Sequence, residues 1–220
     1  IAGLTAAATA TTTLRVGALL FCNDYRHPAI LAKEAATVDV LSDGRFEFGL
    51  GAGWMTSDYE QAGIALDPPG VRIDRLAEAL PIVKRLLAGE TVHHQGDHYR
   101  IDGLTGAPRS VQRPHPPILV GGGGRRILTL AAREADIVGL NIDLRAGVID
   151  ERAGPNATVQ ATDEKLRWVR EAAGERFDQL ELQVRVHLAM VTDDRASVAE
   201  AMAPALGLTP EASLVTPHAL

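Results

Sequence analysis

The sequence of 220 residues contains one cysteine, Cys22, and no run of about 18 uncharged apolar residues. A single cysteine excludes an internal disulfide, and no Cys/His spacing matches a structural zinc site, so we expect no bound metal. The lack of a long apolar run excludes a membrane-spanning helix, and no membrane partner is expected. The first ten residues also lack the basic region of a secretory signal. The sequence therefore predicts a cytoplasmic protein.

An extended basic surface is also missing. The 22 Lys and Arg residues against 28 Asp and Glu residues give a formal net charge of -6, with both signs interspersed along the chain. This balance provides no basic patch, so nucleic acid is not an expected partner. Apolar residues make up 46% of the chain and charged residues 23%, which is typical of an ordered globular protein.

Short apolar runs alternate with amphipathic segments along the chain. Buried strands are predicted at residues 14–21, 46–50, 118–120, 136–140 and 180–191. Helices are predicted at residues 27–41, 71–88, 125–133, 163–173 and 195–206. The predicted buried stripes are Ile30, Leu31, Ala35, Val38 and Leu41 in the first of these helices, and Leu76, Leu80, Val83 and Leu87 in the second.

This alternation predicts an α/β fold with a parallel sheet covered by helices. A doubly wound open sheet and a closed (β/α)8 barrel both fit the pattern. A closed barrel needs eight strands and typically about 250 residues, so the five predicted strands leave either an open sheet or a barrel with missing ends. The chain also begins without methionine, and we expect a missing N-terminal part. No linker or repeat divides the chain, so one domain over residues 1–220 is predicted.

A β-hairpin excursion is predicted at about residues 90–102, where short polar and apolar stretches alternate around a Gln-Gly-Asp turn. Three histidines of this hairpin lack the ligand spacing of a metal site and are predicted to be solvated: His93, His94 and His98.

Glycine recurs at the end of the second predicted strand, in the segment LSDGRFEFGLGAGW (41–54). Glycines at 49, 51 and 53 leave one face of the strand end without side chains, so a flat ring could lie against the backbone. Tight packing of the strand against its helix explains the same spacing, and the glycines taken alone favour it. Trp54 and Tyr59 follow the glycines, and they either wall a substrate cavity or fill the core.

Four glycines, Gly121 to Gly124, lie between a predicted strand and the helix that starts at Arg125. Backbone N–H groups at a helix N-terminus bind phosphate, and glycine allows an anion to approach them closely. Arg125 could add a charge-assisted hydrogen bond. We therefore favour an anion site over a flexible turn, with Gly122 or Gly123 expected at positive φ. The segment has neither a dinucleotide-binding fingerprint nor a Walker loop.

A polar cluster, Asn23 to His27, follows the first predicted strand. Ligands bind outside the carboxyl ends of the strands in both candidate architectures, so Asn23 and Tyr25 are predicted to contact substrate. Capping of the next helix by Asn23 or Asp24 explains the cluster equally well.

Several motifs occur together in a fixed order: LRVG (14–17), RHPAILAKEAATVDVLSDGRFEFGLGAGW (26–54), an RxDRL-type helix start (72–76) and PPILVGGGG (116–124). In this combination the sequence resembles the luciferase-like monooxygenase superfamily, and most of all its actinobacterial deazaflavin-dependent oxidoreductases. The resemblance implies a (β/α)8 TIM barrel that is incomplete here, with the first two strands before Ile1 and the last strand after Leu220. The principal acid–base candidates would then precede Ile1, so the catalytic residues are unknown.

The same resemblance assigns roles to residues at the strand ends. A non-proline cis peptide bond would fall near Leu19 and Leu20, where a bulge would support the central ring of the coenzyme. The cavity beside it would be lined from the next strand by Gly51, Ala52, Gly53 and Trp54. Phosphate would be bound by Gly121, Gly122, Gly123, Gly124 and Arg125. Asn141 would end the strand beyond this loop.

The activity implied by the resemblance is hydride transfer between coenzyme F420, an 8-hydroxy-5-deazaflavin, and a small organic substrate. An FMN-dependent monooxygenase is one alternative, and a non-catalytic coenzyme-binding protein is another. An unrelated phosphate-binding barrel is a third, although the core strands lack a reactive lysine for Schiff-base chemistry. A homodimer is compatible with the apolar stripes of the helices, which do not say which surface would pair.

Overall fold

The computed structural model describes residues 1–149, 151–187 and 189–219. These residues form two compact units. Unit 1 comprises Ile1–Gly53 and Asp67–Val120, and unit 2 comprises Trp54–Leu66 and the residues from Gly121 onward. The single domain over the whole chain stays a prediction.

Strands and helices alternate as predicted over most of the chain. The strands are β1 (Val16–Gly17), β2 (Phe21–Cys22), β3 (Phe46–Gly51), β4 (Thr91–Gln95), β5 (Arg100–Thr105), β6 (Ile118–Gly122), β7 (Ile137–Leu140) and β8 (Glu181–Val184). The helices are α1 (Ala2–Thr9), α2 (Pro28–Leu41), α3 (Thr56–Ala62), α4 (Pro69–Leu87), α5 (Arg125–Glu134), α6 (Val159–Ala173), α7 (Arg195–Leu206) and α8 (Pro210–Val215). Within the described residues, no helix is long and apolar enough to cross a membrane.

The helices of unit 1 bury most of the predicted stripes. In α4, the four positions Leu76, Leu80, Val83 and Leu87 are all fully buried, which confirms that stripe. In α2, the prediction was wrong at Ile30 and Leu41, which are 53% and 50% exposed. The buried side of α2 is instead completed by small residues such as Ala32 and Ala36, because small side chains allow close helix packing.

In unit 1, strand β3 pairs in parallel with its neighbours. β1 pairs with the start of β3 and β2 with its end, where Cys22 lies opposite Gly51. The first residues of β6 also pair with β3. The prediction of one strand over residues 14–21 is wrong. The segment forms two strands of two residues each, β1 and β2, which lie on either side of a cis peptide bond.

The predicted hairpin is confirmed. β4 and β5 pair in antiparallel fashion from Thr91 opposite Thr105 to Gln95 opposite Arg100, with an irregularity between Val92 and His94. The second strand extends beyond the predicted end at about residue 102, to Thr105.

In unit 2, β7 and β8 pair in parallel, from Ile137 opposite Glu181 to Leu140 opposite Val184. The prediction of a long strand over residues 180–191 is wrong. The N–H of Arg185 still donates to the carbonyl oxygen of Leu140 at 3.1 Å, but the N–H of His187 donates to the carbonyl oxygen of His218 at 2.8 Å instead. Two helices of this unit, α3 and α8, were not predicted. α6 begins earlier than predicted because Thr158 caps it by accepting the N–H of Ala161.

Candidate functional site

In unit 1, the end of β3 lies against the segment that joins β1 to β2. A Cβ atom at Gly49 would lie 1.9 Å from the carbonyl oxygen of Ala18, and one at Gly51 would lie 3.0 Å from Cδ1 of Leu20. Gly49 therefore cannot be replaced without moving backbone. Tight packing explains these two glycines, although the contact is with the neighbouring β1–β2 segment and not with a helix.

The segment that covers these glycines contains a non-proline cis peptide bond, between Leu19 and Leu20. This confirms the position that the sequence resemblance implied. Leu20 lies over β3, whereas Leu19 is 45% exposed. Leu19 is therefore the residue of this bulge that a flat ring could contact.

A buried arginine holds the backbone immediately after β3. Arg72 is 4% exposed, and its guanidinium donates to the carbonyl oxygen of Ala52 at 3.4 Å and to that of Gly53. It also donates to the carbonyl oxygen of Asp67 at 2.8 Å. Sequence reasoning placed Arg72 in a family motif but assigned it no role, because partners about 20 residues away leave no local pattern.

Asn23 is the most deeply buried member of the predicted polar cluster. It is 1% exposed, and its Nδ2 donates to the hydroxyl oxygen of Tyr99 at 2.9 Å. Its Oδ1 has no hydrogen-bond partner among the described residues. The capping alternative is wrong for α2, because the cap is His27, which accepts the N–H of Ala29. Tyr25 is 40% exposed, unlike Asn23.

The neighbour of Asn23 in sequence, Asp24, forms a buried ion pair. Its carboxylate accepts from Arg75 at 2.8 Å, and Arg75 also binds the carboxylate of Asp67. Hydrogen bonds from Arg75 to Asp67 and then to Asp24 raise the pKa of this arginine, so it remains a fixed cation. Burial raises the pKa of the Tyr99 hydroxyl, which is therefore protonated at neutral pH.

Glu78 of α4 fixes the turn of the hairpin. Its carboxylate contacts Nε2 of His94 at 2.9 Å and accepts the N–H groups of His98 and Tyr99 at 3.0 and 2.8 Å. Burial raises the pKa of Glu78, but these three hydrogen bonds outweigh burial and lower it overall. His93 is exposed and pairs with Asp102. Among the residues that the structure describes, no three His, Cys, Asp or Glu side chains are grouped to hold a metal.

In unit 2, the four glycines do not form one loop. Gly121 and Gly122 belong to β6, and Gly123 and Gly124 connect it to α5. The expected positive φ is wrong, since none of the four adopts it. Close approach requires glycine instead: a Cβ at Gly122 would lie 2.4 Å from Cγ2 of Ile127, and one at Gly123 would lie 2.2 Å from the carbonyl oxygen of Ile142.

Helix α5 begins at Arg125, with Gly124 in an extended conformation as its N-cap. Gly124 has no side chain with which to cap this helix. As in every α-helix, the first-turn N–H groups of α5 have no intrahelical acceptor, and they carry the positive end of the helix dipole. The guanidinium of Arg125 is 68% exposed and lies 3.5 Å from the carboxylate of Glu171, so it is engaged at the surface.

Asn141 directly follows β7, as predicted, and its N–H donates to the carbonyl oxygen of Gly122 at 3.1 Å. Its Oδ1 lies 2.9 Å from Nε2 of His187. Sequence reasoning missed His187, because the two residues are 46 positions apart and the second lies in a segment predicted as a strand.

The two aromatic residues after β3 differ in burial. Trp54 is half-buried, whereas Tyr59 in α3 is 1% exposed. Contact of Trp54 and Tyr59 with substrate stays a prediction. The ligand roles predicted for the other residues of this site also stay predictions.

The chain has a parallel α/β fold in which strands β3 and β6 end in glycines and a helix with glycine at its N-cap follows β6. The chain belongs to the luciferase-like monooxygenase family, whose model matches residues 1–218. The prediction of an incomplete (β/α)8 barrel of the luciferase-like type is thereby confirmed.

Three similar proteins cover both coenzyme classes. The oxygenase component of flavin-dependent trigonelline monooxygenase from Acinetobacter baylyi is 34% identical over 107 residues, 49% of this chain and 29% of that protein. Monooxygenase RslO1 from Streptomyces bottropensis is 26% identical with a TM-score of 0.67, over 90% of this chain and 56% of that one. Coenzyme F420-dependent tetrahydromethanopterin reductase from Methanopyrus kandleri has a TM-score of 0.73 at 20% identity. The match covers 94% of this chain and 64% of that one. The chain thus spans less than two thirds of each of these proteins.

Proposed function

We propose that this chain binds coenzyme F420 and belongs to an oxidoreductase that transfers a hydride between that coenzyme and a small organic substrate. The observation that carries the proposal is the start of α5. The helix N-terminus has glycine at its N-cap and follows Gly122 and Gly123, which no other residue could replace without displacing Ile127 or Ile142.

The residues fit a coenzyme that has a phosphate and a flat ring. In unit 2, the first-turn N–H groups of α5 would hold the phosphate. Unit 1, taken by itself, has features that suit a flat ring: Leu19 is exposed beside the cis peptide bond, and the unpartnered Oδ1 of Asn23 could accept a hydrogen bond. The bound coenzyme would supply the redox chemistry, and the chain would orient it and exclude water.

A second candidate, an FMN-dependent monooxygenase, is favoured by a separate observation. The flavin-dependent relative is 34% identical over 107 residues of this chain, whereas the F420-dependent structure is 20% identical and supports the fold alone. The chemistry of the two coenzymes differs at ring position five, because a deazaflavin has carbon there and reacts poorly with oxygen.

Titration of the protein with F420 and with FMN, followed by absorbance in the absence of oxygen, distinguishes the candidates. We expect F420 to bind and, without oxygen, to accept a hydride from small alcohols in its oxidised form or to donate one to small aldehydes and enones in its reduced form. Binding of FMN alone, with turnover that requires oxygen, would favour the monooxygenase. Tight binding of F420 without turnover would favour a non-catalytic carrier, and binding of neither would refute the proposal.

A further inference from the structure

The side-chain amide of Asn141 has a single possible orientation. Its Oδ1 lies 2.8 Å from the backbone nitrogen of Ile142 and 2.9 Å from Nε2 of His187. The N–H of Ile142 can only donate, so the atom facing it is the oxygen. The Nδ2 amide group therefore lies on the other side of Cγ and is the donor end of the side chain.

This orientation also assigns the proton of His187. An amide oxygen only accepts, so Nε2 of His187 carries the hydrogen and Nδ1 carries the lone pair. Burial lowers the pKa of His187, and the charges of Arg185 and His218 lower it further. The ring is therefore neutral at pH 7 and is held in one tautomer.

The backbone fixes His187 from behind. Its N–H donates to the carbonyl oxygen of His218 at 2.8 Å, and Nδ1 of His218 donates to the carbonyl oxygen of Arg185 at 2.8 Å. The ring of His218 is 3% exposed, and Thr216 donates its hydroxyl to the carbonyl oxygen of Ala157 at 2.5 Å. These bonds fix the backbone of His187, and the contact of its Nε2 with Oδ1 of Asn141 orients the ring.

Asn141 is in turn tied to the glycine strand end, because its N–H donates to the carbonyl oxygen of Gly122. Both side-chain bonds of Asn141 use its oxygen, so its Nδ2 can serve a ligand at the carboxyl end of β7, where ligands of this fold bind.

We propose that His187 is a positioning residue, which holds the Asn141 carbonyl so that Nδ2 donates to an oxygen acceptor of the bound coenzyme. This inference rests on the proposed function. The acceptor is either a phosphate oxygen or a ring carbonyl, and riboflavin, which lacks the phosphate of FMN, separates the two.

A double-mutant cycle of the full chain tests this role. Asn141→Ala is expected to weaken the binding of F420 or FMN about tenfold, as the loss of one hydrogen bond to a charged or buried acceptor does. His187→Leu is expected to weaken it about fivefold, and the double variant no more than Asn141→Ala. His187→Gln keeps an N–H donor and should restore affinity. His93→Leu, an exposed histidine of the hairpin, is the control and should bind as wild type.

The outcomes separate the two hypotheses. If the protein binds neither coenzyme, the proposed function fails, and so does the proposed hydrogen bond from Nδ2 of Asn141 to a bound coenzyme. If a coenzyme binds but the effects of His187→Leu and Asn141→Ala add, only the role of His187 fails.

Histidine ¹⁵N NMR gives an independent reading: a signal of the Nε2–H tautomer for His187 supports the proposal, and the Nδ1–H tautomer overturns it. An equal loss of FMN and riboflavin affinity in Asn141→Ala assigns the ring carbonyl, and a loss confined to FMN assigns the phosphate.

Discussion

Lys165 donates its Nζ to the carbonyl oxygen of Asn156 at 2.7 Å while the whole residue is buried from solvent. Burial lowers the pKa of Lys165 from 10.5 to about 8, although the carboxylates of Asp143 and Glu164 oppose the change. A buried ammonium is uncommon in proteins, and it has a measurable consequence for stability.

The free energy of unfolding is expected to rise with pH between about pH 8 and 10.5. Below pH 8 the lysine is protonated in both states, so its burial cost is constant. Above that pH the folded state releases the proton while the unfolded state still holds it, so the burial cost decreases steadily. The decrease ends near pH 10.5, where the unfolded state also deprotonates. The gain is up to about 3 kcal/mol, since one pKa unit corresponds to about 1.4 kcal/mol.

Urea unfolding at a series of pH values measures this gain. Lys165→Met should remove it, whereas Lys33→Met, at an exposed position of α2, should keep it. Parallel pH profiles for wild type and Lys165→Met would contradict the prediction.

Gly124→Asn should separate stability from coenzyme affinity. An asparagine N-cap accepts a first-turn N–H of α5, so the free energy of unfolding should change by no more than a few tenths of a kcal/mol, in the stabilising direction. The same side chain would compete with a phosphate for those N–H groups, so coenzyme affinity should fall about tenfold. There is room for it, because the nearest atom to a Cβ at Gly124 is Oδ2 of Asp143 at 4.0 Å.

Isothermal titration and thermal unfolding give the two readings for Gly124→Asn. Gly3→Asn in α1 is the control, since a Cβ there meets nothing within 4 Å. Unchanged coenzyme affinity in Gly124→Asn would show that the start of α5 is not the phosphate site.

Arg72→Lys is expected to lower the free energy of unfolding by about 2 to 4 kcal/mol, because a lysine cannot bind three carbonyl oxygens in the geometry of a guanidinium. Arg15→Lys provides the comparison: its side chain is 57% exposed and pairs with Glu47, so the change should be within about 0.5 kcal/mol. Denaturant titration of both variants decides the matter, and equal small losses would mean that Arg72 does not hold the end of β3.

Gly49→Ala should destabilise unit 1 by about 3 kcal/mol or more, because its Cβ would meet the carbonyl oxygen of Ala18 and force the backbone to move. Gly3→Ala should instead stabilise the protein by about 0.4 to 1 kcal/mol, since alanine loses less chain entropy in α1. Thermal denaturation of the two variants measures both. A Gly49→Ala protein as stable as wild type would refute the close approach.

Local pattern was sufficient for the amphipathic helices and the hairpin. The stripe from Leu76 to Leu87 was predicted because one face of α4 meets the core, and the turn at Gln95 because hairpin chemistry is local. Asn141 was placed correctly because it follows a short buried strand.

Features that depend on distant partners were out of reach. An apolar run over residues 14–21 does not reveal where the chain bends, so two strands were predicted as one. The end of β8 depends on the bond between His187 and His218, and the need for glycine at Gly49 depends on Ala18. In each case the deciding atom lies about thirty residues away along the chain, where periodicity carries no information.

The pairing of Cys22 with Gly51 makes the one thiol of this chain a reporter for the end of β3. Cys22 is half-buried, so its alkylation by iodoacetamide would become faster when this strand end opens. Because the sequence contains no other cysteine, the mass of the intact protein would read that rate at a single position, without any engineered label.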